Sequence, residues 1–442
     1  MGKYFGTDGV RGPVGEAPMT VNFAVRLASA AGQVMVPEGG SVVVGKDPRI
    51  SGYMFESALE AGFVAAGVNV KLLQVMPTPG IAYLTRVLGA DLGVVISASH
   101  NLYQDNGIKF FDRNGSKLSD ENQARIEELI DQPPITRQSK KLGRAERRYD
   151  AVDRYMTFCK QSVSESLDLN GMRIVIDGSN GATFKIAPKV FSDLGADIIT
   201  IGCSPNGTNI NDGFGSTSPE ALQSTVTALG ADLGVAFDGD GDRLSLVDSK
   251  GRLIDGDQIV YALAMARKRS GTLKGPVVGT VMSNLGLEQA MQREGIEFLR
   301  ASVGDRHVLS TLAETGGVIG GETSGHIICL DKTSTGDGII AALQMLAAIR
   351  DAGKPVEQLC AGMARLPQKM INVRMEKRVD ITDNDQINTA VAHSESQLGD
   401  RGRVVLRPSG TEPVIRVMVE GNDESEVLQH AESLAEVVAA AT

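Results

Sequence analysis

Cysteine is scarce in this sequence of 442 residues, and its spacing argues against both disulfides and zinc sites. The four cysteines lie far apart, and none belongs to a CxxC pair: Cys159, Cys203, Cys329 and Cys360. A disulfide framework or a structural zinc cluster normally shows closely paired spacing. We therefore expect a protein of a reducing compartment.

Long apolar segments and an excess of positive charge are also missing. No run of about 18 apolar residues occurs, and the opening MGKYFGTDGVRG lacks the apolar segment of a signal peptide. The formal net charge is −10, so nucleic acids and anionic membranes gain no general attraction. We expect a cytoplasmic protein with neither kind of partner. Local clusters of Arg and Lys still allow a small anionic ligand.

The composition that is present is typical of a soluble globular protein. Hydrophobic residues make up 42% of the chain and charged residues 22%. The length predicts about three domains, each large enough to bury a core of its own.

One sequence unit recurs along the chain. The segments GADLGVVISASHN at 89–101 and GADLGVAFDGDGD at 230–242 share a hexapeptide and diverge where polar residues begin. A weaker third copy, TGGVIGGETSGH, occupies 315–326. Strand-like apolar runs and helical segments precede each copy, and this alternation indicates βαβ units with a parallel sheet. The repeat predicts three similar α/β domains.

The fold class follows from this repeat and from a change of pattern near the C-terminus. We predict three similar α/β domains with mixed, mainly parallel sheets, plus a smaller C-terminal α+β domain, around one central cleft. The predicted domains span residues 1–150, 151–255, 256–366 and 367–442. Ligands of open α/β sheets bind beyond the carboxyl ends of the strands, so the ends of the three copies should meet in the cleft.

The end of the second copy carries the sharpest chemical signal. Asp238, Asp240 and Asp242 alternate with glycines, so an extended backbone places the three carboxylates on one side. Three such charges would repel strongly without a cation, and hard oxygen ligands in a tight loop suit Mg²⁺. We predict one Mg²⁺ ion per active site at this loop, with an acidic surface turn as the alternative.

The first copy ends in SASHN, which places Ser99 at the end of a strand. This serine lacks the flanking glycines of a nucleophile elbow. Adjacent residues of an extended chain point to opposite faces, so His100 should point away from Ser99 and a Ser–His dyad is not expected. Ser99 alone would fit an ordinary turn, but its place in the repeat makes it a candidate for the cleft.

Two further loops have ligand-binding patterns. One carries Glu322, Ser324 and His326 in the sequence GETSGH, which suits hydrogen bonds to sugar hydroxyls as well as an ordinary polar turn. The other, RPSGTEP, suits an anion-binding nest with an arginine clamp. The residues of this nest would be Arg407, Ser409, Gly410 and Thr411, followed by Arg416 on the next strand.

Two local structures are predicted outside these loops. Residues 133–150 hold two prolines and a cluster of basic side chains, which indicates a solvated linker, with phosphate binding as the alternative. In segment 218–230, Ser218 should cap a helix that has Pro219 in its first turn and ends at Gly230.

In this order, the motifs FGTDGVRG, SASHN, DGDGDR, GETSGH and RPSGTEP resemble the α-D-phosphohexomutase superfamily over essentially the whole chain. The opening GKYFGTDGVRG, with VGDR at 303–306 and DKTSTGDG at 331–338, is most similar to the phosphoglucosamine mutase branch. The resemblance implies an enzyme that interconverts glucosamine 6-phosphate and glucosamine 1-phosphate through a phosphoserine and a bisphosphate intermediate. Its partner would be a small-molecule sugar phosphate, and a homodimer stays open.

The resemblance also implies roles for individual residues. Ser99 would be the phosphoserine, and its phosphate would complete the metal site of the three aspartates. The groups near the transferring phosphoryl, as supporting charge or as general acid and base, would be Arg11, Lys109 and His326. Sugar hydroxyls would bind Glu322 and Ser324. The last domain would close as a lid and hold the unreactive phosphate through Arg407, Ser409, Gly410, Thr411 and Arg416.

Departures from the family pattern leave alternatives open. Leu102 follows SASHN where Pro is usual, which predicts a looser turn around Ser99. Thr323 and His307 replace the usual Gln and Tyr, so glucose or mannose phosphates stay open as substrates. A serine-dependent metallophosphatase is disfavoured, because none of the five histidines has a metal-ligand spacing. A non-catalytic paralogue that binds sugar phosphates is the remaining alternative.

Overall fold

Short apolar runs form the strands of four separate sheets in a computed structural model of the chain. The structure describes residues 2–6, 8–375, 384–408 and 414–441. Within these ranges, three α/β units are followed by a smaller unit, and each unit is built around its own sheet. The predicted α/β fold with a smaller C-terminal α+β part is confirmed. The predicted domain boundaries stay predictions.

The first unit contains a six-stranded sheet. Its elements are β1 (Val10–Pro13), α1 (Val21–Met35), β2 (Ser41–Lys46), α2 (Ile50–Ala65), β3 (Asn69–Val75), α3 (Thr78–Val87), β4 (Leu92–Ile96), β5 (Asp105–Asp112), α4 (Asp120–Ile130) and β6 (Ala145–Arg147). The strand order is β1-β5-β4-β2-β3-β6, with β5 antiparallel to both neighbours and the remaining pairs parallel.

The second unit contains a five-stranded sheet of similar design. Its elements are α5 (Ala151–Gln161), β7 (Arg173–Asp177), α6 (Ile186–Asp193), β8 (Asp197–Ile201), α7 (Glu220–Leu229), β9 (Leu233–Phe237), β10 (Leu244–Asp248) and β11 (Leu253–Ile254). The strand order is β11-β10-β9-β7-β8, with β10 antiparallel to both neighbours.

The third unit contains a four-stranded sheet. Its elements are α8 (Gly256–Ser270), β12 (Val277–Thr280), α9 (Leu285–Arg293), β13 (Phe298–Ala301), α10 (Asp305–Thr315), β14 (Ile319–Gly321), β15 (Ile327–Cys329), α11 (Gly338–Ala352) and α12 (Val356–Cys360). The strand order is β13-β12-β14-β15, and only the β14–β15 pair is antiparallel.

One four-strand arrangement is common to the three units. It is β5-β4-β2-β3 in the first, β10-β9-β7-β8 in the second and β15-β14-β12-β13 in the third. The repeated hexapeptide produces part of this likeness, because Gly89 and Gly230 have left-handed φ angles of 59° and 57° that end a helix before β4 and β9. The loops that follow β4, β9 and β14 therefore lie at equivalent positions, as the sequence repeat predicts.

The fourth unit is an antiparallel sheet with two helices. Its elements are β16 (Gln368–Arg374), α13 (Asp385–Leu398), β17 (Gly402–Pro408), β18 (Val414–Gly421) and α14 (Glu424–Ala441), in the strand order β16-β18-β17. Across the ranges that the structure describes, no helix combines the length and apolar character needed to cross a membrane.

The hydrophobic clusters do not coincide with the four sheets. Alternate residues of β2 point to opposite faces, so Val42 and Val44 pack with α1 and α2 while Val43 belongs to a different cluster on the other face. The cluster that contains Val43 continues through the second and third units. The fourth unit has a cluster of its own around Ile415 and Leu434. The first three units therefore share a core that the fourth does not join.

The predicted linker at 133–150 is wrong in part. Residues 145–147 form β6, which pairs in parallel with β3 at the edge of the first sheet. The backbone on either side fixes this pairing, because Val70 N–H donates to the Arg144 carbonyl at 2.8 Å and Arg144 N–H donates to Asn69 Oδ1 at 3.1 Å. The segment closes the first unit, but as an added strand.

The predicted start of one helix is also wrong by a residue. Helix α7 begins at Glu220, and Pro219 occupies the cap position without a side-chain capping bond. The reason is that the first helical hydrogen bond, from Gln223 N–H, is accepted by the Pro219 carbonyl at 2.9 Å. The helix ends at Gly230, as predicted.

The contact between the second and third units yields a stability prediction. Tyr155 Oη donates to Asp337 Oδ2 at 2.8 Å, and both side chains are buried. Tyr155→Phe should lower the free energy of unfolding by about 1–3 kcal/mol, because a buried carboxylate loses a hydrogen bond. Thermal unfolding measures this. The matched control is Tyr83→Phe, because the Tyr83 ring stacks on that of Phe158 with the ring centres 3.9 Å apart. An equal loss of stability in both variants would contradict the prediction.

Candidate active site

Loops from the three α/β units meet at one place. Ser99, in the loop after β4, donates from Oγ to Asp238 Oδ2 at 2.6 Å in the loop after β9. The loop after β14 joins this region because Leu244 N–H donates to the Gly325 carbonyl at 2.9 Å. The three loops that the sequence repeat singles out therefore form one cluster.

The turn at Ser99 has an unusual backbone that other residues hold in place. The φ angle of Ser99 is 52°, a left-handed conformation that disfavours residues other than glycine. The buried guanidinium of Arg49 donates to the carbonyls of Ser99 at 3.0 Å and Asn101 at 2.7 Å, and also to the Leu102 carbonyl. Asn211 Nδ2 donates to the carbonyls of Ser99 and Asn101 at 2.8 and 2.9 Å. Arg49 and Asn211 thus fix the turn from two sides. The prediction of a looser turn, made from Leu102, does not take these contacts into account.

Arg49 is itself positioned by a buried carboxylate. Asp47 Oδ2 accepts from Arg49 Nε at 2.8 Å and from Ser97 Oγ at 2.6 Å. Ser97 Oγ in turn accepts the N–H of Ser99 at 2.9 Å. Asp47, Arg49 and Asn211 are not among the residues predicted from the sequence. The signal for the first two is their place directly after β2, at the carboxyl edge of the parallel strands.

The prediction that His100 points away from Ser99 is wrong. His100 Nδ1 lies 3.4 Å from Ser99 Oγ, because the left-handed turn replaces the extended backbone that the prediction assumed. Burial, followed by the charges of Arg243 and Arg11, lowers the pKa of His100 to about 4. The ring is therefore neutral near pH 7. The single hydrogen of the serine hydroxyl is directed at Asp238, so His100 is a neighbour of this bond and does not take part in it.

The acidic triad has the geometry of a cation site. One ligand oxygen from each of Asp238, Asp240 and Asp242 lies within 4.8 Å of the others, and all three side chains are buried. Within the described residues, Asp240 Oδ1 and Asp242 Oδ1 have no hydrogen-bond partner. Burial, followed by the charges of Asp242 and Asp240, raises the pKa of Asp238 well above its ordinary value. Carboxylate oxygens of this kind fit a divalent metal ion.

Lys109 lies beside the triad, on β5. Its Nζ is 2.9 Å from Asp240 Oδ2, 2.9 Å from Asp8 Oδ2 and 3.8 Å from Asp242 Oδ2. Burial would lower the pKa of Lys109, but these carboxylates together raise it well above its ordinary value. Arg11, on β1, is close enough for its charge to act on both Lys109 and His100. The predicted site residues Arg11 and Lys109 thus lie with the triad.

A chain of alternating charges connects Lys109 to His326. Asp8 also contacts Lys117 Nζ at 2.6 Å, and Lys117 Nζ contacts Asp305 Oδ2 at 2.6 Å. His326 Nε2 lies 3.4 Å from Asp305 Oδ2, while its Nδ1 lies 3.8 Å from Asp242 Oδ1. This chain joins the first unit to the third. Asp8, Lys117 and Asp305 lie far apart along the chain, and no role for them is predicted from the sequence.

The predicted site residues in the loop after β14 differ in their exposure and in their contacts. Glu322 Oε1 accepts the N–H of Gly304 at 3.0 Å, while Ser324 is exposed. Asp257 Oδ2 accepts two hydrogen bonds, one from Thr323 Oγ1 at 2.7 Å and one from the N–H of Asn284 at 2.8 Å. Thr323 therefore anchors the loop to the start of α8.

The fourth unit brings two cations together. Arg407 on β17 is paired directly with Arg416 on β18. Burial, followed by the charge of Arg416, lowers the pKa of Arg407, whereas the charge of Glu322 raises it. Arg407 is thus within electrostatic reach of the loop after β14. The other predicted nest residues, Ser409, Gly410 and Thr411, lie outside the described residues.

Four domains of one protein family match successive parts of this chain. Phosphoglucomutase/phosphomannomutase alpha/beta/alpha domains I, II and III match residues 2–134, 153–251 and 255–366, and the C-terminal domain of the same family matches residues 370–437. Together these matches cover nearly the whole chain.

Relatives and solved structures agree with these matches. The phosphoglucosamine mutases of Methylococcus capsulatus and Cellvibrio japonicus are 54% and 55% identical to this chain, over 99% of the chain and 99% of each relative. A phosphoglucomutase/phosphomannomutase family protein from Burkholderia thailandensis has a TM-score of 0.82 at 25% identity, over 98% of this chain and 96% of that one. N-acetylphosphoglucosamine mutase of Aspergillus fumigatus has a TM-score of 0.72 at 17% identity, over 99% and 96%, and shares the fold.

The buried carboxyl of Asp257 yields a pH prediction. Burial, followed by the charge of Asp255, raises the pKa of Asp257 to about 6. In the unfolded chain an Asp has a pKa of about 3.9, so the folded protein should lose stability as pH rises from about 4 to 6, and the loss should persist above pH 6. Asp257→Asn keeps an acceptor oxygen for Thr323 and Asn284 and removes this loss.

We therefore expect Asp257→Asn to be more stable than the wild type by about 2–3 kcal/mol at pH 8, and by about half as much at pH 5. Thermal unfolding at the two pH values measures the difference. Asp351→Asn, at an exposed position, is the control and should show no such trend. An Asp257→Asn variant with the same relative stability at both pH values would refute the argument.

Proposed function

The chain belongs to the α-D-phosphohexomutase superfamily, in its phosphoglucosamine mutase branch, and on that premise we propose that it interconverts glucosamine 6-phosphate and glucosamine 1-phosphate. One observation carries the proposal for the site. The 2.6 Å hydrogen bond from Ser99 Oγ to Asp238 Oδ2 supports a phosphoserine beside the acidic triad. A nucleophile and a cation site in direct contact suit phosphoryl transfer, which depends on positioning and electrostatics.

The proposed reaction consists of two transfers through Ser99. In the first, the bond between phosphorus and Ser99 Oγ breaks while phosphorus bonds to a free hydroxyl of the sugar phosphate, which gives a bisphosphate. The hydroxyl proton passes to a basic group of the site, and the departing Ser99 Oγ takes up a proton from an acidic group; the second transfer reverses both proton movements. The intermediate then turns around, and its other phosphoryl group returns to Ser99. The phosphoserine is restored, and the phosphate has changed position on the sugar.

We propose Mg²⁺ as the ion of the acidic triad, held by Asp238, Asp240, Asp242 and the seryl phosphate. When bound, this ion supplies positive charge beside the phosphoryl group. Lys109 adds a positive charge, 2.9 Å from Asp240 Oδ2. The proposed acid and base, or supporting charges, are Arg11, Lys109 and His326.

The proposed substrate contacts lie on the third and fourth units. Glu322 and Ser324 would bind sugar hydroxyls. The pairing of Arg407 with Arg416 supports a phosphate site there, because two adjacent cations are stabilised by an anion. We propose that Ser409, Gly410 and Thr411 complete this site. We also propose that the small-molecule sugar phosphate is bound in the cytoplasm, which the four free cysteines support.

We propose that the fourth unit closes over the cleft as a lid. Its separate hydrophobic core supports movement as a body. Its polar contacts with the third unit include Arg403 Nη2, which donates to the Ser283 carbonyl at 2.7 Å, and Glu420 Oε1, which accepts from Leu285 N–H at 3.1 Å. Closure would keep water from the phosphoserine, which hydrolysis would otherwise destroy.

The test of the function is an interconversion assay. Glucosamine 6-phosphate is supplied with Mg²⁺ and a catalytic trace of hexose bisphosphate, beside glucose and mannose phosphates. We expect clear preference for the glucosamine compound. Preference for glucose or mannose phosphate would keep the mechanism and change the substrate, and phosphate release without interconversion would overturn the mutase proposal.

The role of Ser99 is tested by substitution. Ser99→Ala should abolish interconversion, because no other group takes the phosphoryl from the bisphosphate. Ser116→Ala, at an exposed position, is the matched control and should keep full activity. Mass spectrometry of the intact protein should find the phosphate only where Ser99 is present. Substantial turnover in Ser99→Ala would exclude the phosphoserine mechanism.

The metal site is tested by removing one of its charges. Asp242→Asn should raise the Mg²⁺ concentration for half-maximal activity by at least about tenfold, because one anionic ligand is lost. It should also reduce the rise in melting temperature that Mg²⁺ causes in the unphosphorylated protein, since an ion that binds only the folded state stabilises it. Asp212→Asn, at an exposed position, is the control. Unchanged Mg²⁺ dependence in both measurements would exclude this site.

A further inference from the structure

A second cavity lies between the first and second α/β units. Its volume is about 470 Å³, which is within the roughly 300–1,000 Å³ typical of small-molecule sites. Its walls come from β2, α2 and β3, from the chain around β6, and from the segment just before α6. No residue assigned above to the active site lines it. The cavity is therefore separate from the reaction cleft.

The cavity has an excess of positive charge. Lys46 and Glu56 neutralise each other in a buried ion pair of 2.5 Å. Arg147 and Lys185 also line the cavity, and neither forms an ion pair with any residue that the structure describes. Both side chains are exposed to solvent at the cavity, and no carboxylate of the described residues pairs with them. They favour an anionic ligand.

Aromatic rings accompany these cations. Tyr53 is 58% exposed and Tyr149 is 77% exposed, although both are large rings that folding usually buries in part. Lys46 Nζ lies 4.7 Å from the centre of the Tyr53 ring, and Lys185 Nζ lies 5.1 Å from that of Phe184. Exposed ring faces beside cations suit a ligand that combines negative charge with a planar ring.

One wall of the cavity contains a β-bulge. The register of β2 and β3 shifts between Val44 and Lys46, and Gln74 has a φ angle of 65° at this point of β3. The same cavity includes Arg147 and Tyr149 from the basic segment 133–150, for which the sequence left phosphate binding as an alternative.

We propose that this cavity binds an anion of the nucleotide class, with its phosphates at Arg147 and Lys185 and its planar base on the tyrosines. The site is independent of the mutase reaction and would stand if the sugar substrate were a different one. Neither cation nor either tyrosine contacts the acidic triad or Ser99, so substitutions here should leave the basal mutase rate unchanged.

The test is equilibrium dialysis of the full-length protein against labelled ADP and UDP, with saturating glucosamine 6-phosphate present to fill the reaction cleft. We expect saturable binding of one nucleotide per chain. The double variant Arg147→Glu/Lys185→Glu should weaken binding by at least about tenfold, because each substitution replaces attraction by repulsion. The double variant Arg144→Glu/Lys250→Glu is the control, since it changes the total charge equally at exposed positions outside the cavity.

A second variant tests the ring contact. Tyr149→Ser should weaken ADP and UDP without changing the binding of inorganic pyrophosphate, which has charge but no ring. Absence of saturable binding would overturn the proposal, as would displacement of the nucleotide by the sugar phosphate or an equal loss in the control variant. Pyrophosphate that binds the wild type as tightly as the nucleotides would show a simple anion site and overturn the nucleotide class.

Discussion

Repulsion among three buried carboxylates is the constraint around which the active site is built. Asp238, Asp240 and Asp242 hold ligand oxygens within 4.8 Å of one another. Charges this close in a poorly hydrated loop are tolerated only where cations offset them. Burial would raise the pKa of Asp240, but Lys109 holds it below its usual range. The site therefore keeps part of its negative charge ready for a divalent cation, and Ser99 is placed against it.

The same constraint extends beyond the triad and helps to position the units. Lys109 is shared between Asp240 and Asp8, and Asp8 in turn shares Lys117 with Asp305 of the third unit. Each charge of this chain of contacts thus has a partner of opposite sign, which is the condition under which buried ions persist. Since the chain of contacts crosses from the first unit to the third, the relative placement of these units depends on the charges that also surround the metal site.

Features that depend on neighbours in sequence could be predicted from the sequence, and features that depend on distant contacts could not. The shared hexapeptide, with glycines at 89 and 230 that end helices, predicts the repeated units and the equivalent loops. The orientation of His100 could not be predicted, because the left-handed turn at Ser99 is set by Arg49, fifty residues earlier along the chain. Strand β6 is another case, since its basic sequence reads as a linker and only its pairing with β3 makes it a strand.

The departure at Leu102 shows how such distant contacts can compensate for a local loss. Proline at this position would limit φ and stiffen the turn from within. Here the carbonyl of Leu102 accepts a hydrogen bond from Arg49, while its side chain stays exposed. Arg49 is buried and paired with Asp47 at 2.8 Å, so it loses little freedom when it holds the turn. A proline ring would stiffen the turn locally, whereas here the buried ion pair of Arg49 and Asp47 stiffens it. The position of Ser99 therefore depends on that pair rather than on the residue at position 102.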